Sequence, residues 1–92
     1  MNNKATLEAL ASDLKRVAVG LQRGSLRMAE KFGEEALARK KELEVHTLDP
    51  YIIKVLDSTE HVLRTQLTGE RTAEDALMYS TLLQNFVQKK LG

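Results

Sequence analysis

The residues predict an all-α chain, most simply one antiparallel bundle of four helices. Three observations carry this. Leu7, Leu10, Leu14, Val17, Leu21, Met28, Phe32, Ala36 and Leu43 recur at i, i+3, i+4, i+7 spacing, which gathers them within an arc of about 100° on a helix. Two further apolar stripes of helical period follow after residue 50, and no stretch alternates as a strand would. The 92 residues contain 42% apolar and 29% charged side chains, values near those of globular domains and far from those of disordered chains.

Each helix has its own punctuation. The first is expected over 5–23, starting near Asn3 or Thr6, with Glu8 in a first turn where the helix dipole favours an acid. Gly24 then reads as a left-handed residue ending that helix, and Ser25 as the N-cap of the next, over 25–45. The unbroken phase of the stripe and the cation Arg27 in the new first turn speak for the alternative. In it, one long N-terminal helix runs through Gly24 and packs on a helical hairpin over 50–91, and a dimer covers the half of its stripe that overhangs that hairpin. Asp49-Pro50 marks a third helix over 50–67, Asp49 as N-cap and Pro50 at the first helical position. It carries Ile52, Val55, Leu56, Thr59, Val62, Leu63 and Leu67 on one face, and Gly69 closes it. A fourth helix is expected over 72–91, opened by a capping-box pattern of Thr72 and Asp75. Its stripe is Ala73, Ala76, Leu77, Ser80, Leu83, Val87 and Leu91, and Met78, Tyr79, Leu82 and Phe86 widen the apolar surface to most of the circumference. A helix apolar nearly all round is buried on more than one side.

Composition narrows the class of protein. A single domain of this size buries about 60–65% of the surface its unfolded chain exposes. Zero cysteines exclude a disulfide framework and a thiolate zinc site. No apolar run of membrane-spanning length occurs, and residues 1–10 have no block of signal-peptide character. A soluble, cytoplasmic protein is the expectation. The first 45 residues hold nine Lys and Arg against seven Asp and Glu, and the remainder five against six. That asymmetry is too small to imply nucleic acid.

Candidate chemistry is thin. His61 lies one turn after Asp57, a pair that in principle orients a base or holds half a metal site, but an exposed pair explains it as well. His46, four after Glu42, suits a helix end. No Glu-x-x-His occurs, and Glu30, Glu34 and Glu35 fall mainly on a polar face, so a carboxylate-bridged metal pair is not expected. Ser12, Ser25, Ser58 and Ser80 lack a nucleophile elbow, and the glycines form no phosphate-binding loop. No enzyme activity, cofactor or metal is expected; a metal-dependent site on His61, Asp57 and Glu60 is a distant third reading.

Two surfaces remain. Gly20-x-x-x-Gly24 fits close helix approach or simply a turn. Val19, Leu26 and Leu37 form a narrow row beside the first stripe. Together with Met78, Leu82 and Phe86 they are the apolar residues left over once one bundle face is filled. This points to a small non-enzymatic interaction protein, an adaptor, regulator or assembly subunit. It would act through helix–helix contacts, with itself as a homodimer or larger, or with another helical protein, and not with a membrane. The alternative is a nucleic-acid binder using Arg16, Arg23 and Arg27, flanked by Lys15 and Lys31, although no interleaved aromatics stand ready to stack bases.

Overall fold

A computed structural model describes residues 2–65 and 69–92. Four helices pack against one another, and the described residues include no strand. They are α1 (Asn3–Gln22), α2 (Leu26–Glu42), α3 (Pro50–Thr65) and α4 (Gly69–Phe86). A 3₁₀ turn, Val45–Thr47, lies between α2 and α3, and α4 runs into a π-helical turn, Val87–Leu91. No helix among the described residues is long and apolar enough to cross a membrane.

The chain turns at Gly24, so the long unbroken helix does not form. Gly24 holds φ at 74°. Around it, the Ser25 amide donates to the Gly20 carbonyl at 2.7 Å and the Gly24 amide to that of Leu21 at 3.1 Å. These are the two bonds of a Schellman ending, and they satisfy carbonyls that a finished helix leaves open. Ser25 then caps α2, its hydroxyl accepting from the Met28 amide at 3.2 Å. Gly20 has a different role from Gly24. A Cβ placed on it would stand 2.9 Å from the Ala29 amide nitrogen, so its lack of a side chain is what lets α1 and α2 approach.

At the other helix starts, the Asn2 side chain caps α1 by accepting from the Ala5 amide at 2.8 Å. Asp49 caps α3 as expected, accepting from the Tyr51 amide at 2.8 Å. The start of α4 differs from the sequence expectation. Gly69 already lies within α4, and Thr72 is not its N-cap. Glu70 supplies the first-turn acid, and Thr72 turns into the core at 3% exposure. Leu67 and the end of the expected third helix lie outside the described residues.

The first helix is the axis of the molecule. It packs extensively on α2 and on α4; α3 rests chiefly on α4 and meets α2 along a thinner seam. Leu7, Leu10, Leu14 and Val17 of α1, Ile52 and Leu56 of α3, and Leu83 of α4 are all essentially inaccessible to solvent. A buried bond from the Ser80 hydroxyl to the Ala11 carbonyl, 2.7 Å, ties α4 to α1. The Asn3 side chain anchors the α2–α3 connection, accepting from the Glu44 amide at 3.0 Å and donating to the Thr47 hydroxyl at 2.9 Å. The radius of gyration is 12.2 Å, against about 12.3 Å expected for one folded domain of this length.

Candidate functional site

The line of α4 that faces away from α1 carries an apolar surface the core does not use. Helical spacing puts Arg71, Met78 and Leu82 at i, i+7 and i+11 along one side. Met78 is 47% exposed, and Leu82 is partly buried against the core edge. Opposite them, Tyr51, Val55, Ser58 and Val62 follow at i, i+4, i+7 and i+11 on α3, a line without a charge. Tyr51 is 52% exposed. The two lines meet where the start of α3 adjoins the end of α4. A shallow cleft of about 250 Å³ opens there, lined by Asp49, Tyr51, Leu82, Asn85, Phe86, Lys89 and Lys90. That volume falls just below the range of small-molecule pockets and suits one or two protruding side chains of a partner.

Electrostatics give the cleft a sign. Lys89 and Lys90 form no ion pair among the described residues. Asp49, the acid in the same lining, keeps its negative charge while its side chain caps α3. No protein family, curated protein or solved structure matches the chain, so the site is read from its geometry alone.

Of the residues singled out from sequence, Met78 and Leu82 fall on this face and Phe86 forms its floor. Phe86 is only 8% exposed and belongs to the core together with Val87, so it is not left over. Val19, Leu26 and Leu37 do not project from one rod, because their common row assumed an unbroken helix through Gly24. Leu37 turns to the α2–α3 seam, sharing a depression with Gly33 and Leu63. Leu26 is 48% exposed at the start of α2, and Val19 is half-buried on α1. Tyr51, Lys89 and Lys90 escaped the sequence reading. Tyr51 sits off the Ile52–Val55–Leu56 stripe, and that offset from the buried face was the available signal.

The basic residues lie elsewhere. Arg16 is exposed on α1, donates to the Ser12 hydroxyl at 2.7 Å, and stacks 5.4 Å from the centre of the Phe32 ring. Lys31 lies at the same distance from that ring, within cation–π range. Arg23 ends α1 and Arg27 stands in the first turn of α2, both exposed.

The remaining polar groups serve the packing. Asp13, 3% exposed, receives the Arg39 guanidinium at 2.7 Å. Burial nevertheless raises its carboxyl above the usual aspartate value, with Arg39 opposing the shift. Across the α2–α3 seam, Lys40 reaches Asp57 at 3.2 Å and Glu60 at 2.8 Å, and Arg64 adds a second contact to Glu60 at 2.8 Å. Hydrogen bonds from Lys40 and then Arg64 lower the Glu60 carboxyl to about 2. His61 stands beside this network in a shallow depression with Asp57, Glu60, Arg64 and Thr65.

Proposed function

We propose that this chain is a small non-enzymatic interaction protein, an adaptor, regulator or assembly subunit, whose partner surface is the α3–α4 face. The observation that supports the reading is the placement of Tyr51 and Met78. Both are large and about half exposed; Tyr51 lines the cleft, and Met78 stands one helical turn before Leu82, which lines it too. Single exposed apolar residues are ordinary on a soluble protein, whereas a contiguous set around a cleft marks a contact site. An α-helical hairpin with an apolar seam offers the geometry in which a partner helix lies in a groove. Met78 is suited to the contact because its unbranched, polarizable side chain adapts to varied surfaces.

The test is site-specific photo-crosslinking in cells that produce the protein, with the probe at Met78 on this face and, separately, at His61 on the exposed side of α3. The proposal expects a discrete adduct from position 78 and none from 61, and the adduct mass distinguishes a second copy from another protein. Equal adducts at both positions, or none at 78, would count against it.

The second reading is nucleic-acid binding through Arg16, Arg23 and Arg27. What favours it is the pairing of Arg16 and Lys31 over Phe32, an aromatic beneath cations on the outer surface of α1 and α2. It requires affinity that falls steeply with salt, and absence of binding to DNA and RNA at low salt removes it.

A further inference from the structure

We infer that α3 is a strap: it releases as one unit from a body formed by α1, α2 and α4, and Lys40 is the latch that holds it closed. The body is cross-linked internally. α1 packs extensively on both α2 and α4. The Arg39 guanidinium of α2 meets the buried Asp13 carboxylate of α1 at 2.7 Å, and the Ser80 hydroxyl of α4 bonds the Ala11 carbonyl of α1 at 2.7 Å. α3 lies outside this set, resting on α4 and, by a thinner seam, on α2. Its own side-chain hydrogen bonds turn back into the helix: Thr59 donates to the Val55 carbonyl, Thr65 to that of His61, and Arg64 to the Glu60 carboxylate. Among the described residues, the polar contacts that join α3 to another helix are those from Lys40 to Asp57, 3.2 Å, and to Glu60, 2.8 Å.

Position makes Lys40 the deciding contact. It directly follows Arg39, so consecutive residues of α2 hold α1 and α3 in turn. Its side chain is 21% exposed and that of Glu60 33%, so the pair is partly shielded from water. One ammonium serves two carboxylates that lie three residues apart on α3; without it they stand as like charges on one helix face. Lys41 and Lys54, the neighbouring cations on α2 and α3, are exposed and form no ion pair among the described residues. At its near end the strap is tethered, because Asn3 of α1 binds the Glu44 amide and the Thr47 hydroxyl in the α2–α3 connection. Release uncovers Ile52 and Leu56, both inaccessible in the closed form. The open form is therefore a minor population, of the kind that hydrogen exchange reads.

The experiment is native-state hydrogen exchange of the full chain, followed helix by helix, for the unaltered protein, Lys40→Met and Ser80→Ala. Lys40→Met breaks a contact that is lost whenever α3 lifts; Ser80→Ala breaks one that is lost only when the body unfolds. In the unaltered protein the slowest amides of α3 should exchange at least about tenfold faster than those of α1. Lys40→Met should speed α3 about fivefold, and the slowest amides of the body by the same factor, since full unfolding also loses the latch. Ser80→Ala should speed α1 and α4 and leave α3 as it was. Added salt should speed α3 in the unaltered protein and not in Lys40→Met. If Ser80→Ala speeds all four helices alike, α3 opens only with the whole fold and the strap is overturned. α3 exchange unmoved by Lys40→Met would overturn the latch. The unaltered protein decides both points even where a variant fails to fold: one common rate for the slowest amides of α3 and α1 overturns the strap, and α3 exchange indifferent to salt overturns the latch.

Discussion

Thr6 is fully buried in α1, and its hydroxyl has no hydrogen-bond partner among the described residues. A buried hydroxyl that has left water without gaining a partner is a net cost to folding. Thr6→Val, which keeps the branched shape, should therefore raise stability by about 1 kcal/mol in urea unfolding; a loss of stability would mean that the hydroxyl is satisfied. Ser80 is the contrasting case. It is equally buried, but its hydroxyl bonds the Ala11 carbonyl, so the same kind of group links two helices. Gly20 and Gly24 divide in the same way, one a close helix contact and the other a left-handed turn.

The helices differ in what holds them. α1 is packed by α2 and α4 along its length, whereas the α2–α3 seam is thinner and carries the ion network of Lys40, Asp57, Glu60 and Arg64. The two perturbed carboxyls give this fold an acid response of mixed sign. Glu60 is lowered to about 2 in the folded state. Its contribution is complete above its unfolded value near 4.5 and is lost as pH falls toward about 2. Asp13 is raised, so its contribution is present below its unfolded value near 3.8 and is lost as pH rises from there. In unfolding curves taken across the acid range, Glu60→Gln should remove the loss of stability on acidification, and Asp13→Asn should remove the opposing gain. Unchanged slopes in both variants would show that neither group is coupled to folding.

On α4 a second comparison separates the core from the proposed contact face. Leu83 is inaccessible and Met78 is 47% exposed. Leu83→Ala should cost about 3 kcal/mol and Met78→Ala no more than about 0.5 kcal/mol, both read from urea unfolding. Phe86→Ala belongs with Leu83, because Phe86 packs into the core. Equal losses at 78 and 83 would make the α3–α4 face ordinary interior.

For the molecule entire, the turn at Gly24 removes the reason for a dimer that an unbroken first helix would have supplied. Light scattering after size exclusion should give the mass of one chain, 10.3 kDa, at every concentration. A stable dimer would instead assign the Tyr51–Met78 surface to self-assembly.

The helices and most of the core were legible in the residues because their signals are local. Apolar side chains at helical spacing name the buried face of most of the helices and Asp49-Pro50 names one boundary, and both follow from the sterics and hydrogen bonding of a few adjacent residues. The start of α4 was less legible, since Thr72 has the chemistry of a cap and only packing shows that it is used as core. Whether Gly24 breaks the helix was also left to packing, because a continuous stripe fits a straight rod as well as a hairpin. Tertiary structure alone formed the α3–α4 cleft. Tyr51, Leu82, Phe86 and Lys89 are brought together by the pairing of α3 with α4, and Phe86 is buried while Met78 is exposed on the same helix. Helical spacing sets the direction in which a side chain points; only the neighbouring helix determines whether that direction is covered.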